Sequence, residues 1–176
     1  DILNHTQIEQ LKNKINKDID DNLEIAFASK ILESSEKNEK SDVYKKSKFH
    51  LKISTKNNKE NIRYVDAIKQ ALYQSMDDDN RIIMMGQDVA EYGGVFRVSE
   101  GFYKKFGNER VRNTPIIESG VLGAALGLAL EGFKPIVEMQ FADFVSCGFN
   151  QIINNLAKLH YRWGEKADVV VRMPCG

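Results

Sequence analysis

Neither glycine nor proline occurs in the first 85 residues of this 176-residue chain, and no arginine precedes Arg63. All 12 glycines and all three prolines (Pro115, Pro135, Pro174) lie beyond that point. A stretch without either residue has no punctuation for tight turns. The first 61 residues, rich in Lys, Asn, Glu, Asp, Ser and Ile, are therefore a different kind of polymer from the remainder of the chain. Net charge is lacking as well, because 25 Lys plus Arg balance 25 Asp plus Glu. That balance excludes the basic face or stripe on which nucleic-acid binding rests. No long hydrophobic run occurs: residues 121–130 are the longest, about half of the ~20 a membrane helix requires, and they are diluted by Gly and Ala. Two cysteines, Cys147 and Cys175, exclude a disulfide scaffold and a Cys-based zinc site. They suit a reducing cytoplasm, or an organelle matrix in a eukaryote. The opening Asp1-Ile2-Leu3-Asn4 has no basic cluster and no apolar core with a cleavage site, so no secretion signal is expected. The last residue, Gly176, closely follows a strand-like run, and both ends read as fragment boundaries.

What is present divides into three parts. In residues 1–30, Thr6-Gln7-Ile8-Glu9 has the form of a capping box, and Ile8, Leu11, Ile15, Ile19, Leu23 and Ala26 follow at spacings of three and four. This predicts an amphipathic helix of about six turns whose narrow apolar stripe needs a partner. Residues 31–61 carry few apolar side chains and are expected to be a mobile linker, in which Phe49, Leu51 and Ile53 alternate as one edge strand would. From residue 62 the pattern alternates: a helix up to the acidic run Asp77-Asp78-Asp79-Asn80, a buried strand over 81–86, and a loop at Gly93 and Gly94. A short helix over 99–106 and a brief strand from Val111 to Pro115 come next, then a helix over 119–131 capped by Ser119. A strand over 134–139, a long helix over 142–163 and a final buried strand over 168–173 complete it. The fold class is thus α/β, a parallel sheet with helices on both faces. The acidic run reads as a solvated loop rather than a metal site, and no metal ligand set is assigned.

Ligands of such sheets sit at the carboxyl ends of the strands. Three segments qualify: Gly86-Gln87-Asp88-Val89, Thr114-Pro115-Ile116-Ile117-Glu118-Ser119-Gly120, and Glu138-Met139-Gln140-Phe141-Ala142-Asp143-Phe144. Glu118 follows an apolar pair and precedes an apolar helix. It is either a desolvated carboxyl that shares a proton or a first-turn acid that favours the helix dipole. Gly123 and Gly127, four apart, mark either close approach of a second helix or ordinary helix-on-sheet packing.

These blocks, together with Gly93-Gly94-Val95-Phe96-Arg97-Val98 and Arg172-Met173-Pro174, resemble the beta subunit of the thiamine diphosphate-dependent decarboxylating component of 2-oxo acid dehydrogenase complexes. The resemblance runs from about Tyr64 to Gly176 and corresponds to the pyrimidine-binding domain of the transketolase-like fold, placed at residues 62–176. The Gly-Gly-Val-Phe-Arg block is most similar to the branched-chain type, with pyruvate and acetoin enzymes close by. The amphipathic helix resembles the last helix of the alpha subunit, so an alpha-beta fusion joined through residues 31–61 is expected.

The resemblance implies roles. Glu118 would hydrogen-bond the pyrimidine ring nitrogen and favour the imino tautomer of the cofactor. Phe144 would stack on the pyrimidine, Gln140 would meet its edge, and Ile117 would give apolar support. Read without the resemblance, Phe144 and Ile117 are core residues and Gln140 is a strand-end cap. Gln87 departs from the family, which has Glu there. A potassium site built from backbone carbonyls near Val169 would have its other ligands beyond Gly176. The sequence contains no Gly-Asp-Gly, so the diphosphate and magnesium are expected on an alpha-type domain. Implied partners are that domain, a second copy of this chain, a lipoyl-bearing acyltransferase and a 2-oxo acid substrate, with neither nucleic acid nor membrane. The chain alone is expected to be inactive and to bind thiamine diphosphate weakly. The alternatives are an acetoin-type or other transketolase-like enzyme, and a non-catalytic assembly module.

Overall fold

The structure, a computed structural model, describes residues 2–44 and 61–175, which fall into two compact units, Asp1–Glu39 and Lys40–Gly176. The proposed strand at Phe49, Leu51 and Ile53, and most of the 31–61 linker, lie outside the described residues. Where that segment is described, Glu36–Asp42 forms a short helix, α2, with Ser35 bonding the Asn38 amide at its start.

In the first unit, helix α1 spans His5–Ala28. The capping box is Asn4 and Gln7 rather than Thr6 and Glu9: Asn4 Oδ1 accepts from the Gln7 amide at 2.9 Å, and Gln7 Oε1 accepts from the Asn4 amide at 2.9 Å. Asn is the stronger cap, and its earlier position draws Thr6 into the first turn, where its hydroxyl has no cap to make. The stripe of Ile8, Leu11, Ile15, Ile19 and Leu23 is exposed, and α1 buries no residue.

In the second unit, helix α3 (Tyr64–Asp78) leads into strand β1 (Ile82–Gly86), then helix α4 (Phe102–Phe106), strand β2 (Val111–Asn113), helix α5 (Glu118–Leu130) and strand β3 (Lys134–Glu138). The four-stranded sheet has the order β2-β1-β3-β4, all pairs parallel, with β4 spanning Val170–Arg172. Strand alternation sorts β1 onto two faces. Ile82 and Met84 join Met76, Phe102, Val111 and Ile136 in one core, while Ile83 and Met85 join Val121, Leu122, Ala125 and Val137 in the other. All five residues of β1 are buried, as a central parallel strand requires.

Three expectations need correction. The helix after Pro115 starts at Glu118 with Ile117 at the cap position and no side-chain cap, because Ser119 is already inside the first turn. The long helix over 142–163 is instead a 3₁₀ turn (Ala142–Phe144), helix α6 (Val145–Asn150), a π-helical segment (Gln151–Leu156) and helix α7 (Leu159–Trp163). In the middle, the Ala157 amide reaches back five residues to the Ile152 carbonyl at 2.8 Å. Amide side chains pair along the same stretch, Asn154 with Asn150 at 2.6 Å and Asn155 with Gln151 at 2.5 Å. Finally, β4 is not a buried strand: among the described residues it pairs only with β3, and Val170 is exposed.

The amino ends of the strands are closed by charge. The Arg110 guanidinium donates to the carbonyls of Met76 (2.6 Å), Asp79 (2.9 Å) and Ile82 (3.1 Å), gathering the end of α3 and the start of β1. Asp79 accepts from Arg81 through its guanidinium at 2.9 and 2.7 Å and its amide at 3.0 Å, with Lys134 Nζ 3.1 Å away. Arg81, then Lys134, hold the Asp79 carboxyl well below the usual carboxylate range. A depressed folded-state pKa stabilises the fold above the unfolded value, and the contribution is lost as pH falls through the folded one. Asp79→Asn is therefore expected to lower the melting temperature at pH 7, with the gap to the parent chain closing below about pH 4. Thermal melts across pH check this, and a gap that stays constant with pH contradicts it.

Candidate functional site at the carboxyl ends of the strands

Register places the last residues of all four strands in one row. Gly86 is opposite Asn113 on one side and Glu138 on the other, and Glu138 is opposite Arg172. The segment leaving each strand therefore emerges along one edge. A Cβ on Gly86 would lie 2.5 Å from the Glu138 carbonyl oxygen, a backbone atom with no room to retreat. Only glycine ends β1 at this distance from β3.

The loop after β1 is tied down from both sides. Asn113 Oδ1 accepts from the Ala90 amide at 2.8 Å and Asn113 Nδ2 donates to Glu91 at 2.6 Å. Buried Ser99 donates to the Val89 carbonyl at 2.7 Å. The Gly94 amide donates to the Asp88 carbonyl at 2.8 Å, and the chain passes through positive φ at Asp88 (56°), Gly93 (87°), Gly94 (76°) and Arg97 (56°). Arg97 lies 4.0 Å over the Tyr92 ring and donates to the Tyr92 carbonyl at 2.7 Å. Asp88 and Arg97, which have side chains, hold a conformation that costs them energy, and such positions cluster where a loop has work to do.

At this edge a small depression is lined by Gly86, Gln87, Ile117, Glu118, Glu138 and Gln140, among others. Its enclosed volume is about 20 Å³, room for a single water. Three of the four expected site residues, Ile117, Glu118 and Gln140, thus come together. Phe144 lies outside that lining, on the 3₁₀ turn beyond β3. Ile116 is 75 % exposed, Ile117 52 % and Phe144 41 %. Neither Ile117 nor Phe144 is a core residue of this chain, and the apolar flank expected around Glu118 is left open. Glu118 is half-buried at the first position of α5, where a negative charge is favoured by the helix dipole. Rings continue from Phe144 to Phe141 (6.1 Å, 75°) and from Phe141 to Phe96 (6.1 Å, 79°), both edge to face.

Sequence reasoning missed the pair Glu138 and Arg172. Glu138 is 6 % exposed and its carboxylate is hydrogen-bonded to the Arg172 guanidinium. Burial pushes the Glu138 carboxyl up, and Arg172 opposes that shift. The available signal was a charged residue ending each of two apolar strands, Pro135-Ile136-Val137-Glu138 and Val169-Val170-Val171-Arg172. Among the described residues no group of three or more His, Cys, Asp or Glu is arranged to hold a metal ion, and no helix is long and apolar enough to cross a membrane.

A parallel sheet that brings a carboxyl, an amide and exposed rings to the carboxyl edge of its strands has the arrangement in which α/β domains bind ligands. Residues 60–176 match the family described as transketolase, pyrimidine binding domain, and the chain belongs to that family. The 2-oxoisovalerate dehydrogenase subunit beta of Bacillus subtilis (strain 168) is 45% identical over 115 residues, 64% of this chain and 35% of the relative. The pyruvate dehydrogenase E1 component subunit beta of Staphylococcus aureus (strain N315) is 45% identical over 114 residues, again 64% of this chain and 35% of the relative. The chain thus spans about a third of the length of these relatives. A solved structure described as a split gene transketolase, inactive beta4 tetramer, aligns at 23% identity and a TM-score of 0.47, covering 61% of this chain and 32% of that one.

Helix α6 sets the place of Glu118. A Cβ on Gly148 would lie 2.5 Å from Leu122 Cδ1 and 3.4 Å from the Glu118 carbonyl group, and Leu122 is fully buried. A Cβ on Gly127, farther along α5, would meet nothing within 4 Å. Gly148→Ala is expected to cost about 1–3 kcal/mol by overpacking. Gly127→Ala is expected to gain about 0.5–1 kcal/mol by helix propensity. Urea unfolding of this chain measures both, and equal signs would contradict the geometry.

Proposed function

We propose that this chain is the pyrimidine-binding part of the beta component of a thiamine diphosphate-dependent 2-oxo acid dehydrogenase. The observation that carries the reading is the meeting of Glu118 and Gln140 at one strand-end depression, in a domain of the transketolase pyrimidine-binding family. The residues suit one half of a pocket for the cofactor. An acid at a helix start, an amide beside it, and an isoleucine and a phenylalanine left exposed offer a hydrogen-bonding edge and apolar faces to an aromatic ring. The enclosed space of about 20 Å³ is far too small to surround that ring, so a second polypeptide surface completes the enclosure.

In this reading Glu118 holds the pyrimidine ring nitrogen and shares a proton with it, Phe144 stacks on the ring face, Gln140 meets its edge and Ile117 supports it from the apolar side. When bound, thiamine diphosphate would supply a carbon nucleophile and the electron sink for decarboxylation. Glu118 contributes by holding a proton at that nitrogen, and the covered site excludes the water that would compete for it. Magnesium and the diphosphate belong to an alpha-type domain, and the acyl group passes to a lipoyl-bearing partner. Both a branched-chain 2-oxo acid and pyruvate fit the relatives' names. Residues 1–30 belong to the end of that alpha-type domain in a fused polypeptide, in the cytoplasm or an organelle matrix. An upstream reading frame without Gly-Asp-Gly would end the fusion idea.

The test uses the full-length protein with its alpha-type domain. Glu118→Gln is expected to lower decarboxylation of branched 2-oxo acids or pyruvate by about 100-fold or more while the oligomer stays intact by light scattering. Near-normal turnover removes Glu118 from this role, and turnover of acetoin in place of any 2-oxo acid favours the acetoin-type alternative.

A further inference from the structure

Glu138 is the one charged side chain buried among the described residues, and the proposed chemistry gives it no task. It ends β3 directly opposite Arg172, which ends β4. The two strands stay together beyond their ends: the Met139 amide donates to the Arg172 carbonyl at 2.9 Å, and the Ala142 amide donates to the Pro174 carbonyl at 2.9 Å. Above the pair lies Gly94, where a Cβ would stand 2.6 Å from Glu138 Oε1. One carboxylate therefore touches three segments, the 93–98 loop, the exit of β3 and the exit of β4. Gln140 and Phe144 lie on the second of these.

An apolar pair of the same volume would hold the strands as well, since burying two charges removes their hydration. What an apolar pair lacks is direction. A charge-assisted hydrogen bond fixes the angle and register of the groups it joins, whereas packed methyl groups slide. Burial raises the Glu138 carboxyl while Arg172 opposes it, so the carboxylate depends on its partner staying in place.

We infer that Glu138 is a positioning residue: its bond to Arg172 beneath Gly94 locks the exit of β3, and so sets where Gln140 and Phe144 stand. This rests on the reading above only in assigning those two residues to the cofactor.

The test is the double substitution Glu138→Gln with Arg172→Met, which leaves no charge buried and unpaired; Glu138→Gln alone strands Arg172 and risks unfolding. On the full chain without cofactor, amide hydrogen exchange at Met139 and Ala142 is expected to rise about tenfold or more, while Met84 and Val137 keep their rates. Unchanged exchange, or equal acceleration across the sheet, overturns the inference. In the full-length protein with its alpha-type domain, the thiamine diphosphate concentration for half-maximal activity is expected to rise about tenfold, with kcat at saturation changed less than about threefold. A folded double variant with unchanged half-saturation also overturns it. If the unaltered protein binds no thiamine diphosphate, the reading of the site fails instead, and the exchange measurement still decides the role of Glu138.

Discussion

Parallel pairing of β1 with β2 on one side and β3 on the other is the constraint on which the remaining structure depends. Parallel strands end at the same edge, so the row Asn113, Gly86, Glu138 and Arg172 gathers three separate turns within reach of one ligand. The spacing of that row is set by backbone contact, since the missing side chain at Gly86 lets the Glu138 carbonyl approach. A sheet that ended raggedly would still bury its two cores, but it would scatter Glu118 and Gln140.

The two ends of this sheet use charge differently. At the amino edge, Asp79, Arg81, Lys134 and Arg110 satisfy the carbonyls and charges left where α3 stops, and most of these side chains remain in contact with solvent. Water screens such pairs, so each contributes little individually. At the carboxyl edge a single acid is almost wholly buried against an arginine. There desolvation is the larger effect, and similar buried pairs in other proteins can be replaced by apolar residues with a gain of about 1–4 kcal/mol. Stability alone does not explain a buried pair in that position. Orientation of the segments leaving β3 and β4 does.

The order of elements in the second unit is legible in the sequence because apolar period changes sharply between helix and strand, and glycine and proline mark the turns. β1, with Ile82, Ile83, Met84 and Met85 in succession, reads as a buried strand and is one. Sequence and structure part where a local polar bond decides the outcome. The cap of α1 depends on whether Asn4 or Thr6 reaches an amide first, and the π-helical segment is marked by a backbone bond, from the Ala157 amide to the Ile152 carbonyl five residues back. The burial of β4 differs for another reason: an apolar run shows that a strand is suited to burial, while its place at the edge is a property of the whole sheet. Glu118, Ile117 and Gln140, expected from resemblance and position together, line one depression. Glu138 escapes notice because a charge at the end of an apolar strand looks, in one dimension, like the point where the chain returns to water.

The same limit explains why Ile117 and Phe144 look like core residues when read by type. In this unit they stand at the surface beside a depression that holds about one water. Exposed apolar side chains there flank a small depression with a polar floor, the arrangement from which the proposed half-pocket is read. Gly86 and Pro115 line that depression, while Gly93 and Gly94 carry the loop after β1 through positive φ. Turns of this kind, where strand passes to helix at close quarters, are confined to the second unit, and so glycine and proline are found there and not in the first.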